Sequence, residues 1–265
     1  DVAIDSGSSP TTADNPMGFD TGAALKVDGV TYSFPVGGVS MVVGNDTDIS
    51  ASFTGACSYS AFTDYMGDCG TGNTVGAGGN GVTATGSYAF DSGFSLAAGI
   101  TSTTSFVNDA GNPVYPGLLT TEGADALGIE AAYTSDSYGV AVAYVSSDNG
   151  VDEEATGWGV NASYSFDDTS LPSISVGYET IDTGATAKGY FVGLTWSEVG
   201  AGSASIGAAT DGNFGDGESE LWTYEASYSY PVNDSLTITP GVFISESAAG
   251  ADDLTGILVK SSFSF

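Results

Sequence analysis

The feature that most constrains this chain is a strict alternation of apolar and small polar residues. It recurs along most of the length. Val82, Ala84, Gly86, Tyr88 and Phe90 fall on one face, with Thr83, Thr85 and Ser87 on the other. The same pattern returns at Phe94, Leu96, Ala98 and Ile100, at Trp158, Val160, Ala162, Tyr164 and Phe166, and at Trp222, Tyr224, Ala226, Tyr228 and Tyr230. Successive side chains of a strand point to opposite faces, so a period of two argues for strands with one apolar face. Strong helix formers are sparse, while Gly, Ser, Thr, Val and Tyr dominate, which disfavours a helical fold.

The second face decides what kind of β-structure this is. It carries Ser, Thr, Ala and Gly with an occasional Asp, Glu or Lys. A soluble sandwich puts its apolar residues inward and its charge on the outer strand faces. Here charge gathers in the connections instead, which suits lipid on one face and water on the other. Short turns at residues 36–38, 91–93, 135–137, 167–171, 198–202 and 232–234 alternate with longer loops at 45–80, 108–124, 147–155, 181–187, 211–218 and 247–252. Aromatic residues cluster near strand ends, as in a girdle at a membrane interface. The expected fold is all-β, a transmembrane antiparallel up-and-down barrel occupying residues 1–265 as one domain. No apolar stretch reaches the roughly 20 residues of a spanning helix, and a closed barrel is the other structure a bilayer permits.

Charge narrows the partners. With Lys+Arg 3 and Asp+Glu 33, the net charge is -30. Three cations cannot neutralise a phosphate backbone, so nucleic acid is excluded as a partner, and so is docking on anionic lipid through a basic patch. Metal cations and neutral solutes remain. An enzyme is not expected: His is absent, so no Ser-His-Asp triad can form, and no phosphate-binding loop with its Lys appears. The acidic pairs Glu153-Glu154, Asp167-Asp168 and Asp252-Asp253 read as solvated loop charge. The competing class is a soluble or surface-attached acidic β-rich binding or adhesive protein.

Counting alternating segments from Val30 gives about thirteen strands, an odd number, with residues 1–20 reading as loop. Bacterial barrels have even strand numbers. Either a strand escapes the pattern, or an odd number of strands precedes Asp1; the second reading is favoured. No secretory signal opens the chain, so an exported protein implies a removed leader or a longer N-terminus.

The run from Leu25-Lys26-Val27-Asp28-Gly29-Val30 to Thr31-Tyr32-Ser33-Phe34-Pro35-Val36-Gly37 resembles a signature of cyanobacterial outer-membrane porins of the carbohydrate-selective, OprB-like (Som-type) family. The loop containing Cys57 and Asp68-Cys69-Gly70, and the ending Lys260-Ser261-Ser262-Phe263-Ser264-Phe265, are similar to that family too. The resemblance implies a homotrimeric porin of about sixteen strands in a cyanobacterial outer membrane, passing small hydrophilic solutes and ions, carbohydrates among them. It also implies a wall-binding domain, a coiled coil and three strands ahead of Asp1.

The loop at residues 45–80 is the main candidate for function. It is expected either to fold into the barrel and narrow it or to form an external lid. It offers Asp46, Asp48, Asp64 and Asp68. Cys57 and Cys69 are expected to close one small loop as a disulfide, the alternative being two free thiols. By parity Lys260 points into the lumen, either as a foothold for anions or as partner of a lumenal carboxylate. The excess acid predicts a preference for cations. No cofactor is expected. Loosely held Ca²⁺ or Mg²⁺ at acidic loops, bridging to outer-membrane lipid and glycolipid, is the one metal role considered, with no site assigned.

Overall fold

The computed structural model describes residues 2–5, 26–75, 81–103, 106–107, 113–114, 118, 124–148, 154–210, 213–247 and 251–264. The strands are β1 (Val2–Asp5), β2 (Lys26–Val36), β3 (Val39–Thr47), β4 (Gly81–Ala89), β5 (Phe94–Thr103), β6 (Phe106–Val107), β7 (Pro113–Val114), β8 (Asp125–Thr134) and β9 (Tyr138–Asp148). Then follow β10 (Glu154–Tyr164), β11 (Ser173–Asp182), β12 (Thr186–Val199), β13 (Gly202–Thr210), β14 (Phe214–Gly215), β15 (Trp222–Asn233), β16 (Leu236–Ser245) and β17 (Leu254–Phe263). Fourteen of these form one antiparallel meander in chain order from β1 to β17. The two-residue β6 and β7 pair only with each other, and β14 adds to β12.

One expectation needs correction. From β2 onward the meander has the thirteen strands counted from Val30, but residues 1–20 are not all loop, and β1 adds a fourteenth strand. Val2–Asp5 pairs antiparallel with β2, setting Val2 opposite Val30 and Asp5 opposite Lys26. Four residues hold two periods of alternation at most, too few for the pattern to register. The count is therefore even, by the reading that was not favoured. Asp1 and residues 6–20 of that segment, Glu153 and Phe265 lie outside the described residues. The alternation of short and long connections is present, although the loop expected at 181–187 is only a three-residue turn between Asp182 and Thr186.

Burial is inverted relative to a soluble protein. The large apolar side chains face outward: Leu127, Ile129, Val140, Val142, Trp158 and Val160 are all exposed. The small and polar ones are covered: Thr83, Thr101, Ala126, Ala143, Ser175 and Thr223 are buried. Register aligns the outward valines into a band, with Val160 opposite Val142 and Val176 opposite Val192. Rings flank it. Near the short turns Phe94 meets Tyr133 at 4.8 Å and Tyr164 meets Phe166 at 4.9 Å. Near the long loops Tyr144 meets Trp158 at 4.7 Å and Tyr178 meets Tyr190 at 5.5 Å. An outward apolar band between aromatic rows is the surface a barrel shows to lipid.

Candidate constriction loop

The connection between β3 and β4 turns inward. At the end of β3 the register slips between Gly44 and Thr47, and Asp46 takes a left-handed φ of 53°. Asp tolerates that conformation better than most residues, and a bulge here bends the chain off its ladder. Gly29 on β2 makes room: a Cβ there would stand 2.5 Å from the Asp46 carbonyl. Asp48 then caps a 3₁₀ turn at Ile49–Ser52 through Ser50 N at 2.7 Å.

From there the loop runs across the polar face of the sheet. Ile49 packs at Gly99 and Gly128 on β5 and β8. Ala56 N donates to Asn161 on β10 at 2.6 Å, and Ser58 Oγ bonds Ser175 on β11 at 2.9 Å. Tyr59 lies over Gly193 and Gly207 on β12 and β13, and Phe62 over Gly241 on β16. Ala61 O accepts from Lys260 on β17 at 3.1 Å. The chain then returns through Asp64–Gly70, a 3₁₀ stretch broken by a kink at Gly67, Asp68 and Cys69, and a helical turn, Gly72–Val75. Thr74 N ends on Glu179 of β11 at 2.8 Å.

These contacts lay the loop along the polar face of the sheet from β5 to β17.

Three wall glutamates hold the loop. Glu130 on β8 accepts Thr54 N at 2.6 Å and Gly55 N at 3.3 Å. Glu225 on β15 accepts Tyr59 Oη and Phe62 N on one oxygen, at 2.8 and 2.7 Å, and Thr63 N and Oγ1 on the other, at 2.6 and 2.7 Å. Glu179 is 1 % exposed; Glu130 and Glu225 are each 4 % exposed. A buried carboxylate is tolerated only when its oxygens are bonded, and loop amides supply the donors. Burial, then Glu225, pushes the Tyr59 phenol up, so it stays a proton donor. Sequence reasoning missed all three glutamates. The available signal was an acidic residue at an inward position amid Gly and Ala, as in Gly128-Ile129-Glu130.

The residues singled out from sequence separate into groups. Cys57 and Cys69 are joined by a disulfide, Cα atoms 5.6 Å apart, which ties the outgoing limb to the returning one. Asp48, Asp64 and Asp68 share one electrostatic neighbourhood. Asp68 opens to the lumen yet has protein around it; partial burial, then Asp48 and Asp64, pushes its carboxyl up. Asp64 and Asp68 line a 380 Å³ cavity with Tyr65, Glu179 and Thr210. Asp46 stays at the bulge and shapes the loop entry. Lys260 meets the loop tip, its ammonium 5.3 Å above the Phe62 ring. A second opening of 510 Å³ lies between Ser52 and Phe53 of the loop and Ser33, Pro35, Ser40 and Val42 of the wall. Among the described residues no group of three or more acidic, His or Cys side chains is arranged to hold a metal ion.

A family model described as Gram-negative porin matches residues 7–242. Solved structures share the fold. Pseudomonas putida OprB aligns with 92 % of this chain and 74 % of its own, at a TM-score of 0.68 and 13 % identity. A loop-deletion mutant of Vibrio cholerae OmpT, an outer membrane protein, aligns over 90 % and 80 %, at 0.59 and 13 %. A triple mutant of Rh. blastica porin aligns over 93 % and 80 %, at 0.52 and 18 %. A search of curated sequences finds no match.

Proposed function

This chain belongs to the Gram-negative porin family, and from that premise we propose that it is a cation-preferring diffusion pore of the outer membrane, narrowed by the loop at residues 48–75. The observation that carries the reading is the course of that loop across the polar face from β5 to β17. A loop laid inside a polar-lined barrel reduces its cross-section and sets which solutes fit. The carboxylates divide by role. Glu130, Glu179 and Glu225 are consumed by the loop and Asp48 caps its first turn, with its charge close to Asp68, whereas Asp64 and Asp68 line the open cavity and remain to attract cations.

The finer proposals are a place in the carbohydrate-selective cyanobacterial branch, supported by the run from Leu25 to Gly37 and the paired-cysteine loop, a homotrimeric assembly, and loosely held Ca²⁺ or Mg²⁺ at outer acidic loops. The soluble adhesive alternative is disfavoured by the exposed band of Leu, Ile, Val and Trp. Swelling of proteoliposomes in neutral sugars of increasing size tests the reading. Fast swelling with monosaccharides that falls with size supports it; no swelling with any sugar removes the diffusion pore.

A further inference from the structure

The tip of the loop is gripped from two sides by groups of opposite charge. Glu225 takes two consecutive amides, Phe62 N and Thr63 N, with the Thr63 hydroxyl and the Tyr59 phenol. Lys260, two strands away, takes the carbonyl of Ala61 and caps the Phe62 ring. A carboxylate has about four acceptor positions, and all of those on Glu225 are used. The anion thus meets peptide donors and the cation a peptide acceptor, along three adjacent residues. Gly241 completes the seat, because a Cβ there would lie 2.6 Å from the Phe62 ring.

The rest of the loop makes this grip consequential. The disulfide closes residues 57–69 into one lobe. Ser175 holds the base of the lobe at Ser58, and Glu225 and Lys260 hold its far end. Between these points Tyr59, Met66 and Cys69 pack against Phe191 and Ala209 of the wall. We propose that Glu225 and Lys260 form a two-point latch that keeps the lobe against the wall and so sets the open cross-section of the pore. They are positioning residues: Glu225 is buried away from the permeant path. The proposal rests on the reading of the chain as a pore.

Single-channel recording of the full chain in planar bilayers tests it, comparing Glu225→Ala, Lys260→Met and Lys260→Arg with the wild type. The two disruptive variants change charge in opposite directions. A latch predicts that both raise the frequency of partial closures, by roughly tenfold or more for a lost charged hydrogen bond, while Lys260→Arg stays quiet. If the two groups act only through their field on passing ions, Glu225→Ala and Lys260→Met shift the reversal potential oppositely and both channels stay quiet, which overturns the latch. Should Glu225→Ala fail to fold, Lys260→Met on the last strand decides alone. A silent wild type removes the pore reading itself, a failure distinct from a conducting wild type with quiet variants.

Discussion

Glu225 on β15 accepts the backbone N–H of Phe62 at 2.7 Å, joining two residues that lie 163 positions apart in the chain. A buried wall carboxylate therefore meets the point of the loop farthest from both of its ends. The loop is part of the wall's hydrogen bonding rather than a flap beside it, and this makes its removal or displacement readable in transport.

Glycine under the loop tip should be as restrictive as the bonds around it. Gly241→Ala places a Cβ where the Phe62 ring now lies, 2.6 Å from its nearest atom. The ring must rise into the lumen. The expected outcome is a folded barrel with lowered single-channel conductance; unchanged conductance contradicts the packing described.

Removing the disulfide should loosen the loop and spare the sheet. In the chain-entropy account, closing a loop of this size is worth about 3 kcal/mol. Cys57→Ser with Cys69→Ser is expected to speed amide exchange across residues 48–75 while β8 to β13 keep their protection. Hydrogen exchange with mass spectrometry in detergent reads both.

Asp68 links pH, stability and selectivity. Its carboxyl is pushed up by partial burial and by Asp48 and Asp64. A raised folded-state pKa means that the ionised form is disfavoured in the fold. Its contribution to stability is present at low pH and is lost as pH rises through the folded value. Asp68→Asn is therefore expected to raise the melting temperature at pH 7, with the advantage shrinking on acidification. The residue has a φ of 49°, which Asn also accommodates. The same substitution should weaken cation preference, and the wild type should begin to lose its preference on acidification above the ordinary Asp value of 3.8. Reversal potentials at low salt, where screening lengths reach about 30 Å, give the clearest reading.

The outward face should reject charge. Val142 sits in the band opposite Val160. Val142→Arg is expected to cost about 2–4 kcal/mol if it lies near the bilayer midplane. Urea titration of folding into lipid vesicles measures this. A neutral result means that lipid does not cover that face.

Legibility from sequence followed the physics of each feature. Segments such as 158–164 carry four outward apolar residues each, so both the strand and its lipid face were readable. Val2–Asp5 is too short to display a period, and its pairing with β2 comes from tertiary structure. Glu130, Glu179 and Glu225 were not singled out, because alternation alone does not say that a loop would reach an inner-face carboxylate. Those bonds join residues 76, 105 and 162 positions apart. The acidic residues of the loop itself were visible because they sit in the longest connection of the chain. The bulge role of Asp46 was not, since it depends on a backbone angle and on the space left by Gly29.

The most direct measurement is the current through a planar lipid bilayer exposed to the detergent-solubilised chain. The account predicts discrete, stepwise conductance increments, with a reversal potential of the sign that favours cations in a low-salt KCl gradient. A folded preparation that inserts into the bilayer and yields no steps contradicts it.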